Sequence, residues 1–83
     1  MTGDEPVKHS KIHVQYRDGS KPKGVGVVLG FTGALGGMTK TYYTDSQGVA
    51  LVKHESTGNA DVYVSGRKVG SLRAPGETAV FIS

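Results

Sequence analysis

Apolar and polar residues alternate in short runs along this 83-residue chain, and no stretch of a dozen residues carries a helical period. In KIHVQY, residues 11–16, Ile12, Val14 and Tyr16 alternate with Lys11, His13 and Gln15, the period of two of a strand with one buried face. VGVVLGF, residues 25–31, sets Val25, Val27, Leu29 and Phe31 on one face. Gly26 and Gly30 fall on the other, where missing side chains permit a close backbone approach or a bend. MTKTYYT (38–44), VALVKH (49–54), DVYVS (61–65), KVGSLR (68–73) and TAVFI (78–82) complete seven predicted strands. Val14, Val27, Leu29, Val52, Val62, Val64 and Phe81 are the expected core.

The segments between these runs carry turn chemistry. Asp18 and Gly19 open the run to Gly24, where Asp-Gly tolerates positive φ and Pro22 withholds a ladder donor. In Thr44-Asp45-Ser46-Gln47-Gly48 the Asp45 carboxylate can accept from amides two or three residues on, and Gly48 can take the left-handed conformation that ends a bulged hairpin. The pentapeptide therefore reads as a corner between antiparallel strands. A calcium site there has one carboxylate against the six to eight oxygens calcium prefers. Ser65-Gly66-Arg67-Lys68 reads as a compact Gly-X hairpin turn, Glu55 to Ala60 as a loop, and Ala74-Pro75-Gly76-Glu77 as a break before the last strand. Residues 1–9 carry Gly, Pro and charge without a period and read as a flexible leader to a single domain over 10–83.

Thirteen glycines and the preference for Val, Thr and Tyr agree with strands joined by tight turns. The predicted class is all-β, a seven-stranded antiparallel sandwich of immunoglobulin-like or transthyretin-like type. IHVQYRDGSKPKGVGVVL, then YYTDSQGVALV, then DVYVSGRKVGSL, resembles the carboxypeptidase-regulatory-like and transthyretin-like sandwich modules. Their recurring features are a strand, a D-G-x-P-x-x-G turn, a valine-rich strand and T-D-x-x-G. The resemblance spans roughly residues 11–83, and bacterial immunoglobulin-like repeats share nearly the same cues. It implies a non-catalytic module that stiffens, spaces or docks larger assemblies.

Charge and candidate chemistry alter this picture little. Ten Lys and Arg against seven Asp and Glu leave a net charge of +3, dispersed along the chain. The absence of cysteine excludes disulfides, thiolate metal sites and cysteine nucleophiles. No apolar run approaches the roughly 20 residues of a membrane span, and residues 1–11 lack the apolar stretch of a secretory signal. The compartment stays open. His9, His13 and His54 have no metal-ligand spacing and are expected on the surface, no G-x-S-x-G elbow appears, and no cofactor is expected. The glycines of GVGVVLGFTGALGG do not precede a helix, as a nucleotide cradle requires.

A non-enzymatic structural or interaction module with a protein or glycan partner is therefore the expected function. Ala34 and Leu35, on the glycine-rich loop, and the adjacent Tyr42 and Tyr43 are its candidate partner-binding residues. The turn-forming set is Asp18, Gly19, Asp45, Gly48 and Gly66. A single-stranded nucleic-acid binder is the alternative, since six aromatic rings and scattered lysines could form a stacking groove.

Overall fold

The computed structural model describes residues 7–33 and 37–83. Its elements are β1 (Lys8–Tyr16), β2 (Gly26–Phe31), β3 (Tyr42–Tyr43), β4 (Val49–His54), β5 (Gly58–Val64), β6 (Arg67–Ala74) and β7 (Glu77–Ile82). They form a three-stranded sheet ordered β4-β1-β7 and a four-stranded sheet ordered β3-β2-β5-β6. The result is an all-β, sandwich-like fold. β1 begins at Lys8, so two residues of the expected leader lie in the sheet.

The expectation of an entirely antiparallel fold is corrected at β7. It runs parallel to β1, with Lys11 beside Glu77 and Tyr16 beside Ile82. The chain leaves β6 in one sheet, turns through Pro75 and Gly76, and enters the other sheet in the same direction as β1. The remaining strand pairs are antiparallel.

Side-chain alternation places Ile12, Val14, Ala50, Val52 and Val80 of one sheet against Val27, Leu29, Ala60, Val62 and Val64 of the other. All are buried, and apolar area removed from water is the main stabilising term. Phe81, expected in this core, is 54% exposed. The ladder pairs Val14 with Val80, so the phase that buries Val80 turns Phe81 outward despite its larger apolar area.

The expected strand over 38–44 shrinks to Tyr42–Tyr43 because threonine hydroxyls replace the ladder on either side. Val25 N–H donates to Thr44 Oγ1 and Leu29 N–H to Thr39 Oγ1, both at 3.0 Å. Thr44 N–H and Thr39 N–H return bonds to the carbonyls of Val25 and Leu29. The glycines opposite the core face of β2 admit side chains rather than backbone. A Cβ on Gly26 would meet Thr41 Cγ2 at 2.9 Å, and one on Gly30 would meet the Tyr63 ring at 3.0 Å.

The corners use the chemistry expected of them, with adjustments. Asp45 Oδ1 accepts from the amides of Gln47 at 2.8 Å and Val49 at 3.0 Å, two and four residues on. Gly48 sits at φ +74° and its carbonyl accepts from Val14 N–H at 2.8 Å. Asp18 Oδ1 accepts from the amide and hydroxyl of Ser20, and Gly19 sits at φ +92°. Between Val64 and Arg67, Ser65 (φ +51°) and Gly66 (φ +83°) are both left-handed, which is a type I′ turn rather than the Gly-X type. Its twist matches that of the strands it joins.

Candidate interaction cleft

β6 and β7 are edge strands of different sheets and lie on the same side of the sandwich. They come close at Gly70, where an added Cβ would lie 2.9 Å from Val80 Cγ1. Beyond this pinch the sheets splay into an open cleft of about 750 Å³. Its walls come from the end of β1 (Tyr16, Arg17), Val25, the end of β5 and its turn (Val64, Ser65), the start of β6 (Arg67, Lys68, Val69) and the end of β7 with the residue after it (Phe81, Ile82, Ser83).

A bulge shapes this end. Val62 pairs with Gly70 but Tyr63 with Lys68, leaving Val69 as the extra residue of β6. The bulge turns Val69 inward, half-buried against the core, and sends Lys68 to the outer surface beside Asp61 at 3.4 Å. Without it, the alternation from Leu72 and Gly70 would aim Lys68 inward.

The cleft is asymmetric in charge. Arg17 and Arg67 line it, the Lys68 ammonium is turned away toward Asp61, and no Asp or Glu side chain lines it. Arg17 and Arg67 form no ion pair among the described residues. Two unpaired guanidinium groups beside the apolar surface of Val25, Val69, Ile82 and Phe81 favour a ligand with anionic groups on an apolar frame.

The candidate partner-binding residues are dispersed. Ala34 and Leu35 lie outside the described residues. Tyr42 turns inward and packs half-buried on the core. Tyr43 is 66% exposed on the outer face of the four-stranded sheet, its ring beside Gly26. Neither Tyr42 nor Tyr43 lines the cleft. Its residues were missed because they come from five separate segments, and only the pairing of Arg67-Lys68 with a turn hinted at a basic end.

The expectation that the histidines are superficial is corrected at His54, which is 5% exposed. Its Nδ1 faces the Ser56 carbonyl at 2.8 Å, so in the neutral ring this nitrogen carries the proton and donates. Nε2 then accepts from the Ser10 hydroxyl at 2.7 Å, and Ser10 Oγ accepts from Gly76 N–H at 3.2 Å. The Phe31 ring packs on the imidazole at 5.3 Å between centroids. This spacing is that of a nucleophile and its base, but the Ser10 side chain has no solvent exposure and a carbonyl stands where an orienting carboxylate would. The chain of bonds ties β1, β4 and the β6–β7 corner together. His13, half-exposed, instead meets Glu77 across the parallel pair at 2.6 Å.

Among the described residues no three His, Asp or Glu side chains converge as a metal site, and no helix is long and apolar enough to cross a membrane. Asp45 and Asp18 have carboxyls held below the ordinary 3.8. For Asp45 the causes are the amides of Val49 and Gln47, with His13 adding a small attraction; for Asp18 the cause is Ser20. These shifts belong to the turns. No family model matches the chain, and no match was found among curated proteins or solved structures.

Proposed function

We propose that this chain is a non-catalytic interaction module of transthyretin-like type, which engages a partner at the splayed end between β6 and β7. The observation that carries this reading is the cleft: about 750 Å³, open, apolar along one wall, bearing Arg17 and Arg67 and no Asp or Glu side chain. Arg17 and Arg67 form no ion pair among the described residues. The strand order departs from the immunoglobulin-like side of the resemblance. With β1 to β7 lettered A to G, an immunoglobulin constant domain groups A-B-E-D and C-F-G, whereas here D-A-G and C-B-E-F share sheets.

The test is a two-dimensional amide NMR titration with peptide, oligosaccharide and oligonucleotide probes. Shifts gathering at Arg17, Arg67, Val69 and Phe81 are the expected result. Shifts gathering on the Tyr43 face or around His54, or turnover of a probe that depends on Ser10, would overturn it.

A single-stranded nucleic-acid binder is the second reading, favoured by Tyr16 and Phe81 beside the cationic residues. The other rings are dispersed: Phe31 and Tyr42 pack on the core, and Tyr43 lies on the outer face of the opposite sheet. A continuous stacking track is therefore missing from the cleft.

A further inference from the structure

The four sheet edges differ in how they are protected. β3 has two residues, β4 carries Lys53, and β6 is bulged and carries Lys68 and Arg73. β7, with the sequence ETAVFI, has no Lys, Arg, Pro or bulge, and its only charge is at its first residue. Short length, lysines and bulges are the usual means of blocking strand addition, and β7 has none of them.

The phase of the β1–β7 ladder shows which of its backbone groups are free. Lys11 N–H donates to the Gly76 carbonyl while Lys11 is the register partner of Glu77. In a parallel ladder this aims the backbone of Thr78, Val80 and Ile82 at β1 and the N–H and C=O groups of Glu77, Ala79 and Phe81 away from it. Those groups have no partner among the described residues. The free edge runs into the cleft at its Phe81 end, so an incoming strand passes Arg17 and Arg67 there and meets the Glu77 carboxylate at the other end.

On the reading of the chain as an interaction module, we infer that β7 is the docking edge for an extended acidic peptide segment of a partner protein. The segment adds as a fourth strand beside β7 and sets carboxylates against Arg17 and Arg67. Main-chain bonds to Glu77, Ala79 and Phe81 supply its geometry, and the two guanidinium groups select its charge. Nucleic acid lacks the alternating amide and carbonyl groups that this edge complements.

The test uses fluorescein-labelled eight-residue peptides of alternating Glu-Val, Gln-Val and Lys-Val, and an eight-residue oligothymidylate, with anisotropy and amide exchange on the same protein. The Glu-Val peptide binds at least about tenfold more tightly than Gln-Val, and more weakly as salt rises. Exchange at Ala79 and Phe81 slows at least about tenfold in its complex, as expected of amides that gain partners. Arg17→Glu with Arg67→Glu abolishes the acidic preference. Ala79→Pro, which removes an outward donor and no bond within the sheet, weakens binding about tenfold or more; the wild-type exchange measurement stands if that variant does not fold.

Equal binding of Gln-Val and Glu-Val with the same protection at β7 would overturn the acidic partner and leave the module reading intact. Tighter binding of the oligothymidylate, or β7 amides already protected in a self-associated protein, would overturn the docking edge. Absence of any response at Arg17, Val69 and Phe81 to every probe would remove the broader reading as well.

Discussion

Gly48→Ala tests how closely the corner packs on β1. Gly48 sits at φ +74°, a conformation that costs an L-residue about 1–2 kcal/mol. Its added Cβ would lie 2.6 Å from the Val14 carbonyl oxygen and 3.0 Å from Lys21 Cβ. The first of these is backbone within β1 and cannot swing aside as a side chain can. Relieving the contact moves Gly48 away from β1 and strains the 2.8 Å bond from Val14 N–H to its carbonyl, a loss of about 0.5–1.5 kcal/mol. The expected total is about 1.5–3.5 kcal/mol, a large fraction of the stability of a small domain. Gly66→Ala is the internal control, since Gly66 is also left-handed at φ +83° but has nothing within 4 Å of its added Cβ. It should lose only the conformational part. In urea unfolding followed by circular dichroism, with a slope near 1 kcal/mol/M, the Gly48→Ala midpoint should fall by about 1.5–3.5 M and the Gly66→Ala midpoint by about 1–2 M, the difference between them being the packing part. If the two variants lose the same stability, the packing of the corner against β1 is wrong.

Three further outcomes follow from the packing and the turns. Phe81→Ser should cost less than about 1 kcal/mol while Leu29→Ala costs about 2–5, because only Leu29 leaves a cavity; similar urea midpoints for the two would put Phe81 back in the core. Ser10→Ala strands His54 Nε2 and the Gly76 amide and should cost about 1–3 kcal/mol by the same assay, an expectation that a loss below about 0.5 kcal/mol would contradict. Asp45 has a folded-state carboxyl held below 3.8, so its stabilisation is present above that value and lost as pH falls through the lowered one. Asp45→Asn should therefore flatten the decline of the thermal midpoint as pH falls below about 4, and an unchanged slope would refute the role of the carboxylate in the corner.

Period-two alternation located β2, β4, β5 and β6 to within a few residues, because a strand with one buried face writes its geometry directly into the sequence. The turns at Asp18-Gly19 and Asp45 to Gly48 were legible for an equally local reason: a short carboxylate and a glycine solve the backbone problem where they stand. Phe81 was misassigned because TAVFI offers two apolar phases, and the phase is chosen by Val14, 66 positions earlier, which pairs with Val80. The same distance hid the burial of His54, whose partner Ser10 lies 44 residues away.

By itself, then, the sequence determined that this protein is a set of short strands reversed at glycine- and aspartate-bearing corners. Tertiary structure alone decided that β7 runs parallel to β1, that β6 and β7 end as neighbouring edges, and that Arg17 and Arg67 meet across a cleft. Local propensity depends on neighbours a few bonds away. Direction, edge position and convergence of charge depend on which distant strands share a ladder, and that is set by the burial of the whole core.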